Sequence, residues 1–232
     1  MFTENNKTIQ CGFGSTNVVE SNQIQQNSHM VLEDMSMSLC GILKCQAGIV
    51  AFGDSKNTII HKGIPKINPL NPTIQKVFRF DNYLLAMTGP NQFVKNDMVI
   101  KADTLIDELS TQQDFSNNYK SCISALANTI QPSLSSNEKV LIGIGYKVPE
   151  YGIVLFEITR SNVERFDFPN KYGFKVFGAS DLIFPANGCE NFTTIDEAVR
   201  FVSDYMDHIL SLGDMLLQYN PAGSPISIET LV

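Results

Sequence analysis

Three polar residues with complementary chemistry stand at the boundaries of short apolar segments in the first third of the chain. Ser38 begins one segment, Asp54 ends the next, and Lys76 begins a third. A serine hydroxyl becomes an effective nucleophile where a base lies within hydrogen-bond reach. An aspartate can hold a lysine charged and oriented, although two such residues can also form a purely structural ion pair. Hydrolysis through an activated hydroxyl is therefore one chemistry that these residues suit.

The apolar segments predict two β-hairpins that would position the three residues. The first pair of segments spans residues 39–44 and 49–53, and the second pair spans residues 76–80 and 83–87. Short polar or glycine-containing stretches separate the members of each pair, as expected for hairpin turns.

This arrangement resembles the first part of proteasome β subunits and their bacterial relatives, which are N-terminal-nucleophile hydrolases. In that family the nucleophile, usually threonine, begins the first strand, and an aspartate follows at the spacing of sixteen residues that separates Ser38 from Asp54. A lysine opens the next hairpin, as Lys76 does here after a longer loop. Gly89 resembles the glycine whose backbone N–H helps to form the family's oxyanion hole. The resemblance covers residues 38–232 and is nearest to bacterial proteasome-related peptidase subunits of the HslV and Anbu kind.

The resemblance implies a peptidase with Ser38, Asp54, Lys76 and Gly89 as its catalytic residues. The free α-amine of Ser38 would take the proton from its own hydroxyl, so residues 1–37 would have to be removed first. Repulsion from the Lys76 ammonium would lower the pKa of this amine, and Asp54 would keep Lys76 charged. The reaction would pass through an acyl-enzyme ester, which water then hydrolyses.

Several residues leave other interpretations open. Met37 precedes Ser38, whereas self-processing proteasome subunits usually carry glycine there. An alignment shifted by one residue would place Met37 at the nucleophile position and leave no nucleophile. Ala179 stands where a supporting serine is common, with Ser180 or Ser224 as substitutes. The alternative function is a catalytically inactive proteasome-like subunit with a structural, assembly or binding role.

The first 37 residues differ in composition from the rest of the chain. They are rich in Asn, Gln and Ser, which predicts a polar N-terminal extension or propeptide at 1–37 before a single domain at 38–232. Cys11-Gly12 resembles the start of amidotransferases that use an N-terminal cysteine, but two residues form a very short motif.

The order of predicted elements favours an α+β fold with a four-layer α/β/β/α sandwich, the layering of the proteasome-like family. Apolar positions at helical spacing predict helices over residues 92–110 and 119–130, and a capping box at Thr194 predicts a third that ends at Gly213. Further strands are predicted at residues 139–146, 152–158, 162–168, 174–177, 215–218 and 225–231.

Charge and composition narrow the partners and the compartment. The net charge of −7 argues against a nucleic-acid or anionic-membrane partner. Five cysteines without paired metal spacing and three scattered histidines predict no metal cluster, and the cysteines favour a reducing, cytoplasmic location. No cofactor is predicted. The resemblance implies peptide or unfolded-protein substrates and a ring of identical or related subunits. It also suggests an ATP-dependent unfoldase as a further partner.

Overall fold

The computed structural model describes residues 38–61, 64–147, 150–168, 172–178, 191–217, 220 and 222–232. All of them lie in one compact unit, Asp34–Val232. The predicted extension at 1–37 and the segment with Ala179 and Ser180 lie outside the described residues.

The first sheet is built around the predicted N-terminal hairpin. Strands β1 (Leu39–Cys45) and β2 (Gly48–Asp54) pair antiparallel, with Cys40 opposite Gly53 and Cys45 opposite Gly48. The outer strands of this sheet are β12 (Gly173–Gly178), beside β1, and β13 (Ile226–Leu231), beside β2. Strand β2 has a neighbouring strand on each edge, and all seven of its residues are buried.

The second sheet contains the other predicted hairpin and three further strands. Its order is β11-β10-β9-β6-β5, and all neighbours are antiparallel. The bounds of these strands are β5 (Val77–Arg79), β6 (Tyr83–Thr88), β9 (Lys139–Tyr146), β10 (Gly152–Thr159) and β11 (Val163–Phe168). They agree with the predicted strands to within one or two residues.

Helices pack on both sheets through separate apolar clusters. Helix α1 (Ala102–Ser110), the short α2 (Gln113–Asn117), α3 (Tyr119–Ile130) and a 3₁₀ turn (Gln131–Ser133) follow one another along the chain. The buried residues of the three helices share one cluster with β6, β9 and β10. Helix α4 (Ile195–Leu216) instead packs its buried face on β1 and β2.

A third cluster joins the two sheets. It contains buried side chains from the first sheet and from the second, among them Cys40, Ile42, Ala51, Val77, Leu84 and Ala86. Burying side chains of this size contributes about 1.5–3 kcal/mol for each large aliphatic residue. The chain therefore has a mixed α/β fold with several sheets, and the inner faces of the two larger sheets pack against each other.

Two predicted helices have different bounds. The helix predicted over residues 92–110 is wrong before Ala102, because β7 (Gln92–Lys95) and β8 (Met98–Lys101) form a hairpin there. Its turn residues, Asn96 and Asp97, have φ values of 51° and 61°. Asn and Asp tolerate this left-handed backbone, and a two-residue turn of this kind matches the twist of paired strands.

Helix α4 begins at the predicted capping box but continues past Gly213 to Leu216. Residues 215 and 216, predicted to start a strand, are therefore helical. Gly213 serves packing rather than termination, since an added Cβ would lie 2.8 Å from the side-chain carbon of Asn220. Within the described part of the chain, no helix is both long and apolar enough to cross a membrane.

The long loop between Asp54 and Lys76 carries a hairpin that the sequence did not reveal. Strands β3 (Thr58–His61) and β4 (Ile64–Ile67) pair within it, and an isolated bridge joins Lys56 to Thr73. This bridge joins the two ends of the loop, so the chain enters the second sheet directly after Lys76.

Candidate active site

Asp54 is the centre of the candidate site. It is the last residue of β2, and none of its surface is exposed to solvent. Its Oδ1 accepts a hydrogen bond from the backbone N–H of Leu39 at 2.7 Å. Its Oδ2 accepts from the backbone N–H groups of Lys56 at 3.0 Å and Gly223 at 3.2 Å. Backbone donors from three separate segments therefore hold this carboxylate in one orientation.

Lys76 supplies the positive charge opposite Asp54. Its Nζ donates to both carboxylate oxygens, each at 3.0 Å, and to the backbone oxygen of Lys56 at 2.8 Å. The residue is only 3% exposed. An ammonium has three protons, so these three contacts use its full donor capacity. The pair is therefore buried and hydrogen-bonded on all sides, the arrangement that a desolvated ion pair needs.

Ser38 lies directly before β1 and is 3% exposed. The next residue, Leu39, donates its backbone N–H to Asp54, so the carboxylate lies close to Ser38. Lys76 donates to the same Oδ1 as Leu39, so the ammonium also lies beside the start of β1. The structure thus brings Ser38, Asp54 and Lys76 to one end of the two sheets.

Gly178 shows how closely the backbone approaches Ser38. It ends β12 opposite Leu39 and has a φ of +108°. A Cβ added there would lie 1.9 Å from the backbone oxygen of Ser38. Only glycine fits this contact, so the end of β12 forms one wall beside the candidate nucleophile.

Gly89 follows β6 with a φ of +129°. A Cβ added to it would lie 2.7 Å from the backbone oxygen of Lys139 and 3.0 Å from Cα of Val140. Both the backbone conformation and the space therefore require glycine. β6 belongs to the sheet that faces β1.

Cys40 is a second nucleophilic residue near the ion pair, and its environment suppresses its reactivity. The thiol is fully buried and donates to the backbone oxygen of Met87 at 3.4 Å. Burial is the main reason that its pKa lies far above that of an ordinary thiol. The Lys76 charge lowers this pKa and the Asp54 charge raises it, both by less than burial does. Cys40 is therefore a neutral packing residue rather than a second nucleophile.

Lys56 links the site to the C-terminal segment. Its side chain donates to the backbone oxygen of Asn220. Partial burial is the largest effect on its pKa and lowers it, while the carboxylates of Asp214 and Asp54 raise it. Asn220 in turn is fixed by its amide, which donates to Leu210 O and to Asp214, each at 2.9 Å. The end of helix α4 and the loop after it thus support the site from one side.

The sequence missed the backbone partners of the ion pair. Lys56 takes part through both its N–H and its carbonyl, yet nothing in its side-chain type signals that role. Gly223 lies 169 residues from Asp54, so spacing could not predict their contact. Ser224, a suggested supporting residue, is exposed. Among the described residues, no group of three His, Cys, Asp or Glu side chains is arranged to hold a metal ion.

The sequence matches no protein-family model and no curated protein. Solved structures of Anbu subunits are similar to this chain. They include "Anbu (ancestral beta-subunit)" from Yersinia bercovieri, at 13% identity and a TM-score of 0.49 over 83% of this chain and 81% of that one. Anbu from Hyphomicrobium sp. strain MC1 matches at 12% identity and a TM-score of 0.49, over 83% of this chain and 81% of that one.

The helical assembly of the Anbu complex from Pseudomonas aeruginosa matches at 12% identity and a TM-score of 0.48, over 83% of this chain and 80% of that one. Anbu is one of the two kinds of subunit that the resemblance read from the sequence names as nearest, and these solved Anbu chains are what the structure is similar to. The activity of this chain is inferred from its own contacts.

Proposed function

We propose that this chain is a proteasome-like peptidase subunit that uses Ser38 as an N-terminal nucleophile. The observation that carries the proposal is the buried Asp54–Lys76 pair, whose carboxylate also accepts the N–H of Leu39 at 2.7 Å. A charged lysine is thereby fixed beside the residue that the sequence motif places as the nucleophile.

In the proposed reaction, the α-amine of Ser38 accepts the hydroxyl proton as Oγ attacks the carbonyl carbon of a peptide bond. The Lys76 ammonium keeps this amine unprotonated by like-charge repulsion, and Asp54 holds Lys76 in place. The N–H of Gly89 stabilises the oxyanion. The carbon–nitrogen bond then breaks, the leaving amine takes the proton, and water hydrolyses the resulting ester.

This chemistry requires that residues 1–37 be removed. We propose that Ser38 performs the cut itself by attacking the carbonyl of Met37, which forms an ester at Oγ and frees its own amine. Water then releases the propeptide, and residues 38–232 remain as the mature domain. Met37 is larger than the glycine usual at this position in the family, so we expect the cut to be slow.

We further propose the family's four-layer α/β/β/α arrangement, a cytoplasmic location, and assembly with identical or related subunits around peptide or unfolded-protein substrates. The three apolar clusters support the layering, because one lies under α1 and α3, one under α4, and one between the sheets. Assembly, a possible ATP-dependent unfoldase and the compartment rest on the sequence resemblance.

A catalytically inactive subunit is the second candidate, and one observation favours it. Asp54 joins three backbone segments through Leu39, Lys56 and Gly223. Such a hub could serve assembly of the fold without catalysis. In that case the ion pair would be needed for stability, and Ser38 would be dispensable.

Variants of Ser38 separate the two candidates. Ser38→Ala removes only the hydroxyl and should abolish both release of residues 1–37 and hydrolysis of small peptide amides. Ser38→Thr restores a hydroxyl and should retain both activities, which makes it the matched control. Hydrolysis by purified Ser38→Ala protein at the wild-type rate would contradict the proposed nucleophile.

A further inference from the structure

Thr88 is a buried polar residue whose side chain has no hydrogen-bond partner in the described part of the chain. It ends β6 directly before Gly89 and is 2% exposed. Its Oγ1 is enclosed, and among the buried side-chain oxygens and nitrogens of the described residues it is the one without a hydrogen-bond partner. A buried hydroxyl in this state lowers stability, and most such groups are paired in folded proteins. A valine would fill the same space without this cost.

The position of Thr88 relates it to Ser38. A Cβ added to Gly178 would lie 3.1 Å from Cγ2 of Thr88 and 1.9 Å from the backbone oxygen of Ser38. The Thr88 side chain and the Ser38 main chain therefore flank the same point. Cys40 donates to the oxygen of Met87 at 3.4 Å, which places the start of β1 across the end of β6. The Thr88 side chain, whose Oγ1 has no partner among the described residues, is thus packed close to the backbone of Ser38.

We propose that Thr88 is a positioning residue for the nucleophile: its Oγ1 accepts a hydrogen bond from the α-amino group of Ser38 once the chain begins there. This inference rests on the proposed function, because the amino group exists only after residues 1–37 are removed. With one N–H held by Thr88, the single lone pair of the neutral amine is oriented toward the Ser38 hydroxyl, from which it accepts the proton.

Loss of the Thr88 hydroxyl should change activity and stability in opposite directions. An acceptor beside the amine favours its protonated form, and so opposes the repulsion from Lys76. Losing it should shift the acid limb of the pH–rate profile to lower pH while the rate at the optimum falls. In the uncut chain the same loss should stabilise the fold, since the unpaired hydroxyl disappears. Greater stability with lower activity is typical of a residue kept for function.

The test compares Thr88→Val, which keeps the shape, with Thr88→Ser, which keeps the hydroxyl. Full-length chains are expressed and allowed to mature, and kcat is normalised to the cut fraction determined by intact mass. Thr88→Val should lower kcat about ten-fold, the effect of one lost hydrogen bond, and shift the acid limb to lower pH. Thr88→Ser should restore both. In uncut chains that carry Ser38→Ala, the protein with Thr88→Val should have a higher melting temperature than the protein that retains Thr88.

Three results would overturn the inference in distinguishable ways. A cut and active Thr88→Val chain with the wild-type kcat and pH profile would show that Thr88 has no role, while leaving the proposed function intact. Equal losses of activity in both variants, with a lower melting temperature, would show a packing role only. A wild-type chain that is neither cut nor active would refute the proposed function, and this inference with it.

Discussion

Replacing Lys76 by methionine tests the ion pair most sharply. Methionine has a similar unbranched stem but no charge, so the change removes the ammonium with little loss of packing. The fully buried Asp54 would keep its three backbone N–H donors and lose both contacts to Lys76. The backbone oxygen of Lys56 would also lose its 2.8 Å partner.

Breaking a buried pair from one side costs about 3–5 kcal/mol, because the remaining charge is left uncompensated. The three N–H groups that still solvate Asp54 place this variant near the lower end, at about 3 kcal/mol. Domains of this size are stable by about 5–15 kcal/mol, so the variant should still fold. With a slope of about 2 kcal/mol per M urea, the unfolding midpoint should fall by about 1.5 M.

Urea unfolding followed by far-UV circular dichroism measures this change, since the chain contains no tryptophan. All samples carry Ser38→Ala, so that chain length is equal throughout. Lys95→Met is the matched control because Lys95 contacts Glu108 at 2.7 Å while the two side chains are 34% and 49% exposed. Solvent screening limits such surface pairs to about 0.2–1 kcal/mol, a midpoint change below about 0.5 M. Equal midpoints for the two variants would refute the buried network.

Three further predictions concern the backbone, a thiol and a helix end. Gly89→Ala should cost about 1–3 kcal/mol from backbone strain and also lower peptide hydrolysis, as thermal melts and kcat would report; an unchanged melt would contradict the strained conformation. Cys40, whose pKa is raised by burial, should resist iodoacetamide at pH 8 until the chain is unfolded, and peptide mass mapping of native protein would detect any early modification. The Thr194 and Thr193 backbone N–H groups lower the pKa of Glu197 below 4.5, so its stabilising effect is present above that pH and is lost as pH falls through the lowered pKa. Melting temperatures of Glu197→Gln should therefore vary less with acidification than those of the wild type, and parallel curves would argue against the capping box.

The sequence predicts the parts of the fold that depend on local chemistry. The two hairpins around Asp54 and Lys76 follow from apolar segments and turn residues, and helix α4 follows from its capping box at Thr194. The β7–β8 hairpin was missed because Asn96 and Asp97 form a turn inside a segment whose apolar residues also fit helical spacing. At that length, periodicity alone does not separate the two structures.

The candidate site, like the fold, could be predicted from the sequence only in part. The proximity of Ser38, Asp54 and Lys76 agrees with the spacing of the motif, whereas the donors that fix Asp54 are backbone groups without a side-chain signature. In the sequence, nothing distinguishes Thr88 from the other threonines of the chain. Only its burial without a partner distinguishes it.

The N-terminus of the mature protein decides the central claim. Intact-mass measurement of the chain purified from its own host, before and after prolonged incubation, would identify it directly. We predict a species that begins at Ser38, and its absence from the Ser38→Ala variant. A wild-type chain that still begins at Met1 after prolonged incubation would contradict catalysis by Ser38 and leave the ion pair as a structural element.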